Sequence, residues 1–166
     1  MKLSVLQTDG TYKDVSLTFS ADDTIDGVIS KIKNGEIFDT LFSKLKASSV
    51  DLSACILKCN MVLAGKQFHT ESTPEEVGAA TAEVLRQHLP DNLAGVVFLS
   101  GGQTPEQATA NLKAIQEQGP FPWPVTFSFA RALQEPALQT WQGDNQNIPA
   151  AQTAFKQRLI ANTKLN

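Results

Sequence analysis

GVVFLSGGQTPEQATANLKAIQEQ, residues 95–118, decides how this chain is read. An apolar run, Gly95 to Leu99, reads as a buried strand. Ser100, Gly101 and Gly102 then form a turn, and Thr104-Pro105-Glu106-Gln107 reads as a helix start. Thr stands at the N-cap, Pro at the first helical position and Gln at the third, the composition of a capping box. Strand, glycine turn and capped helix together spell one β-α unit.

The same grammar recurs on both sides. Upstream, LSACILK (52–58) leads through a loop to TPEEVGAATAEVLRQHL (73–89), which opens with the matching signature Thr-Pro-Glu-Glu. Downstream, WPVTFSF (123–129) leads to RALQEPALQTW (131–141), and IPAAQTAFKQRLIANTK (148–164) closes the chain. Before the units, EIFDTLFSKLKA (36–47) carries a helical stripe of Phe38, Leu41, Phe42 and Leu45. Residues 2–19 alternate about an Asp9-Gly10 turn, a hairpin signal, and Ile25, Val28, Ile29 and Ile32 fall at helical spacing after an acidic start. The expected fold class is α/β. Repeated β-α units imply a parallel sheet with right-handed crossovers. Three units cannot close an eight-unit barrel, which needs roughly 200–250 residues. The expectation is therefore a partial β/α (TIM-type) barrel over residues 36–166, preceded by a separate hairpin-helix segment over residues 1–35.

Composition narrows the function classes. At 166 residues, 42% apolar and 19% charged, the chain matches an ordinary globular protein. A net charge of −3 argues against nucleic-acid and anionic-membrane partners. No apolar run approaches the roughly 20 residues of a membrane span. MKLSVLQTDG lacks an apolar signal core, so a cytoplasmic protein is expected. The two cysteines, Cys55 and Cys59, would lie about 13 Å apart on one strand face, too far to bridge. With only His69 and His88 and no paired-ligand spacing, no metal site is expected.

Lys58 interrupts an otherwise apolar stretch, ACILKCNMV (54–62). Alternation puts Ile56, Lys58 and Asn60 on one face and Cys55, Leu57 and Cys59 on the other. Two readings stand. The lysine snorkels past the strand end, or it is a desolvated amine at the mouth where barrel sites are built, able to attack a carbonyl. Ser100-Gly101-Gly102 is either an ordinary β-α turn or an anion cradle, because glycines let backbone N–H groups approach closely. Arg131, following the last strand, is either a solvated charge or a planar fork for a phosphate dianion. A phosphorylated ketose would use all three features.

The segments ILKCNMV, FLSGGQ and TFSFARALQ, in this order and spacing, resemble the last three strands of class I fructose-bisphosphate aldolase. The resemblance extends through PEEVGAATAEVLR, EQATANLKAIQ, PWPVTFSFARALQEPALQTW and AAQTAFKQR, and so covers residues 36–166. It implies a lyase of glycolysis that cleaves fructose 1,6-bisphosphate into two triose phosphates without a metal or other cofactor. Lys58 would form a covalent imine with the ketose, fructose 1,6-bisphosphate or dihydroxyacetone phosphate. Ser100, Gly101, the backbone of Ala130, and Arg131 would hold its phosphate. Two departures stand out: Cys59 where proline usually follows the lysine, and Ala130 where many members have glycine. The proton-transfer carboxylates and further lysines of the family's first five strands have no counterpart here. Residues 1–33 instead resemble a ubiquitin-like hairpin and helix start.

Three functional expectations follow. The first is an aldolase-type lyase that is truncated or chimeric and depends on missing strands. The second is a non-catalytic half-barrel that binds a sugar phosphate or a protein. The third is a chimeric product with no selected function. Open sheet edges would favour self-association.

Overall fold

A computed structural model describes residues 36–64 and 72–163, together with the backbone of residues 2–6 and 12–16. The Asp9-Gly10 turn and the helix expected after residue 20 lie outside the described residues. The two strands expected on either side of that turn are present. β1 (Lys2–Leu6) and β2 (Tyr12–Ser16) pair antiparallel, with Lys2 opposite Ser16 and Leu6 opposite Tyr12.

α1 (Glu36–Ala47) buries Leu41, Phe42 and Leu45, the stripe its sequence encodes. Acidic residues occupy its first turn and lysines its last, as the helix dipole favours. The Asp39 carboxylate of α1 lies 3.0 Å from His88 Nδ1, tying this helix to the one that follows β3.

Three parallel strands form the second sheet, in the order β3 (Ile56–Cys59), β4 (Gly95–Phe98), β5 (Val125–Phe127). Leu57 pairs with Val96 and Lys58 with Val97, and on the other side of β4 Val96 pairs with Val125 and Val97 with Thr126. The first strand is shorter than its apolar run suggests. Asp51 accepts from the Ser53 N–H at 3.0 Å and turns Leu52–Ala54 into a 3-10 segment, so the strand begins only at Ile56. The side chain of a short acidic residue competes here with strand hydrogen bonding.

α2 (Pro74–His88) and α3 (Pro105–Glu117) each open with the capping box expected of them. Thr73 Oγ1 accepts from Glu76 N while the Glu76 carboxylate accepts from Thr73 N, and Thr104 and Gln107 repeat the pattern. Both helices contribute to the core that covers Leu57, Val96 and Phe98; Val77, Leu85, Leu112 and Ile115 belong to it. Past β3, Val62 N donates to the buried Thr81 Oγ1 at 3.0 Å, anchoring the exit of that strand to α2. α4 (Arg131–Trp141) and α5 (Ile148–Thr163) pack on each other, with Asn162 of α5 fully buried.

β3 is apolar apart from Lys58, yet its two faces differ in burial. Only one is covered: Ile56 is 63% exposed, and Lys58 shares its face and its exposure. The helices lie on the Leu57 side, and among the described residues nothing packs over Ile56.

At Gly78 the backbones of α2 and α3 come close together. A Cβ at this position would meet the Ala114 carbonyl carbon at 2.8 Å. Gly78→Ala is expected to destabilise the fold by about 1–3 kcal/mol despite better helix propensity, because backbone must move to admit the methyl. Thermal unfolding checks this: the midpoint should fall by about 2–4 °C per kcal/mol lost, and an unchanged or raised midpoint would contradict it.

Candidate functional site

The carboxyl ends of three parallel strands finish at one edge of the sheet, and the residues singled out in the sequence lie along it. Lys58 is the penultimate residue of β3 and Asn60 follows just beyond, both exposed. Ser100, Gly101 and Gly102 follow β4. Gly102 has φ of +80°, a left-handed conformation that favours glycine. Arg131 opens α4, after β5.

Gly101 differs from Gly102. Its backbone is not left-handed, and a Cβ would find only ordinary contacts: Arg131 Nη2 at 3.6 Å and Asn60 Oδ1 at 3.8 Å. Neither conformation nor packing demands glycine here. What its missing side chain leaves is a small polar niche between a guanidinium and a carboxamide. Asn60 was placed on the Lys58 face by strand alternation, but its approach to Gly101 was not legible; only the fold brings residues 60, 101 and 131 together.

Ser100 is buried, 5% exposed, and its Oγ accepts from Ala132 N at 3.3 Å. The serine therefore caps α4 from another element. Ala130, the N-cap residue of α4, is exposed and has no side chain with which to do so. α2 and α3 cap their first turns with their own Thr and Glu/Gln. The start of α4 instead faces the niche, with its positive dipole end and the Arg131 charge together.

Among the described residues, none buries the Lys58 side chain. Its side chain is exposed, and among the described residues no carboxylate forms an ion pair with it. Of the two readings left open for Lys58, its exposure fits a side chain that reaches past the strand end into solvent. Its neighbour Cys59 points to the other face and packs against the core. Burial pushes the Cys59 thiol up to about 12. Cys55 is also raised, first by burial and then by the Asp51 charge. Both are free thiols. Among the described residues, no group of three or more His, Cys, Asp or Glu side chains could hold a metal ion.

A parallel sheet backed by helices, with a glycine turn and an arginine at the strand ends, defines an α/β protein of the class that builds its sites at that edge. Comparison with known proteins makes this specific. Residues 22–166 match the family model of class I fructose-bisphosphate aldolase. A fructose-bisphosphate aldolase of Plasmodium falciparum (isolate K1 / Thailand) is 43% identical over 128 residues, covering 77% of this chain and 35% of the relative. The chloroplastic fructose-bisphosphate aldolase 2 of Arabidopsis thaliana is 41% identical over 128 residues, again 77% of this chain and 32% of the relative. Among solved structures, the P. falciparum aldolase in a ternary complex with TRAP and a small-molecule inhibitor superposes with a TM-score of 0.78 at 40% identity. That match covers 83% of this chain and 40% of the other. The chain belongs to the class I fructose-bisphosphate aldolase family. It spans about a third of the length of the curated relatives it matches.

The raised Cys59 thiol gives a signed pH dependence. The fold favours the protonated form, so the unfolded chain releases this proton first, near the ordinary 9.0. Stability from this group is fully present below that pH and is lost as pH rises toward 12. Cys59→Ala should therefore lose less stability than the parent between pH 9 and 12. Denaturant midpoints at about pH 8 and about pH 10.5 measure the difference; parallel loss in both proteins would contradict it.

Proposed function

We propose that this chain is a partial β/α barrel of the aldolase family that binds the phosphate of a triose or ketose at the Gly101–Arg131 niche and forms an imine through Lys58. The observation that carries this reading is the niche itself: a glycine that neither backbone nor packing requires, lying against Arg131 and Asn60 beside the Lys58 strand. Arg131 supplies a charged fork for the phosphate, Gly101 and Ala130 supply backbone N–H groups, and Ser100 orients the helix that carries Arg131. The Lys58 amine adds to the ketone C2, and loss of water leaves the imine. Protonated, the imine accepts the electron pair released when the C3–C4 bond breaks, giving an enamine.

Cleavage also needs a group that takes the C4 hydroxyl proton, and general acid–base help contributes about 10²–10⁴-fold. The proton-transfer carboxylates and further lysines that the resemblance implies have no counterpart in this chain, which covers 35% of the Plasmodium relative, so in this reading fast cleavage requires groups from elsewhere. The reaction is metal-free in this reading, and the setting is a cytoplasmic one; no described helix is long and apolar enough to cross a membrane. Residues 36–166 carry the aldolase-type unit and residues 1–35 an N-terminal segment, of which residues 22–35 also fall within the family match.

Trapping tests the reading. Incubation with dihydroxyacetone phosphate and borohydride should reduce the imine to a stable amine on the peptide containing Lys58. Lys58→Met should abolish the adduct. Gly101→Ala should fold as well as the parent yet bind the phosphate ester about tenfold more weakly, a change of about 1.4 kcal/mol. A folded parent that gives no adduct removes the catalytic part. If phosphate-ester binding then persists and is lost in Arg131→Ala, the chain is a non-catalytic sugar-phosphate binder, a reading the exposure of Lys58 favours. Absence of both ends the proposal.

Self-association is part of the same reading. β3 and β5 each pair on one side only among the described residues, and Ile56 exposes an apolar side chain beside them. Unpaired edges with an apolar face recruit further chains. Light scattering should show mass rising with concentration for the parent and a smaller rise for Ile56→Lys; identical behaviour of the two would refute the role of this face.

A further inference from the structure

α4 has a proline in its interior, Pro136. Proline has no N–H, so the carbonyl four residues earlier, that of Ala132, loses its intrahelical donor. The missing bond is replaced from another helix. Arg158 of α5 donates Nε to Ala132 O at 3.0 Å. The rest of the guanidinium is engaged as well: Nη2 donates to Pro105 O and to Thr109 Oγ1 of α3, and Nη1 reaches Glu106 at 3.3 Å. Asn162 completes the arrangement, donating to Arg158 O at 2.8 Å and accepting from Thr109 Oγ1 at 3.0 Å. The Arg158 side chain is only 12% exposed. Ala132 is thus gripped twice, its N–H by Ser100 Oγ and its carbonyl by Arg158.

We propose that Arg158 is a positioning residue for the phosphate niche: it substitutes for the backbone bond that Pro136 removes and holds the first turn of α4 so that Arg131 faces Gly101. The inference rests on the phosphate-binding reading above. Arg158 touches no ligand; its effect passes through Ala132 to the turn that carries Arg131. The same guanidinium joins the start of α3, which follows the glycine loop, to the start of α4. The two segments that frame the niche therefore share one cross-link. A helix with an ordinary residue in place of Pro136 would satisfy the Ala132 carbonyl by itself and would not need the arginine for that bond.

That conditional is the test. Calorimetric titration with dihydroxyacetone phosphate is run on the full chain, on Arg158→Met, on Pro136→Ala and on the double variant. Arg158→Met should weaken binding about tenfold in the parent background. In the Pro136→Ala background, where the restored N–H returns to the Ala132 carbonyl, it should weaken binding less than about twofold. Pro136→Ala alone should bind within about twofold of the parent. A general structural role would instead cost the same in both backgrounds, and that result would overturn the proposal. So would Arg158→Met binding like the parent while the parent still binds; failure of the parent to bind at all overturns the phosphate reading first. Should Arg158→Met fail to fold, Arg158→Lys and amide hydrogen exchange at Ala132 take its place. Faster exchange in Arg158→Lys that Pro136→Ala restores supports the proposal, and exchange equal to the parent's refutes it.

Discussion

The two parallel ladders on β4 are the constraint on which the rest depends. Because Lys58, Val97 and Thr126 share one row, and Cys59, Phe98 and Phe127 the next, the three strands end together. The loops that follow them are then forced to one edge. Every residue of the niche owes its place to that common ending: Asn60 after β3, Gly101 after β4, Arg131 after β5. The ladders in turn are held by burial of Leu57, Val96 and Phe98 beneath α2 and α3. At about 25 cal/mol per Å² of apolar surface removed from water, burying each such side chain contributes about 1.5–3 kcal/mol.

Helix capping divides the three strand-following helices into two kinds. α2 and α3 close their own N-termini with Thr-Pro-Glu signatures. α4 has Ala130 at its N-cap, takes its cap from Ser100 and its missing interior bond from Arg158. Of these three, the helix without a side-chain cap of its own is the one whose start carries the arginine. Its geometry is set by other elements, which is what a site needs when its orientation must be fixed from outside.

Much of the fold was legible because local rules decided it. The stripe of α1, both capping boxes and the parallel order of β3, β4 and β5 follow from periodicity, cap chemistry and repeat grammar. Where expectation and structure part, a competing interaction is responsible. Leu52 to Ala54 read as strand because they are apolar at the right places, yet the Asp51 carboxylate captures the Ser53 N–H and bends the chain. Ile56 lies in an apolar stretch, yet the helices cover only the Leu57 side and leave it exposed. Lys58 was found by its misfit in an apolar strand and Arg131 by its place after one. Asn60 gave no signal beyond parity, and Arg158 none at all, since its importance lies in a carbonyl orphaned by a proline on another helix.

The sequence by itself determined the elements, their order and the residue types able to do chemistry, because hydrophobic period, glycine and proline conformation and cap hydrogen bonds act over a few residues. The tertiary structure decided which face of β3 is covered, that Gly101 lies between Asn60 and Arg131, and that Arg158 takes over the bond Pro136 cannot make. Those outcomes depend on residues far apart in the chain. Distance between them is set by packing and strand register, and no local pattern encodes it.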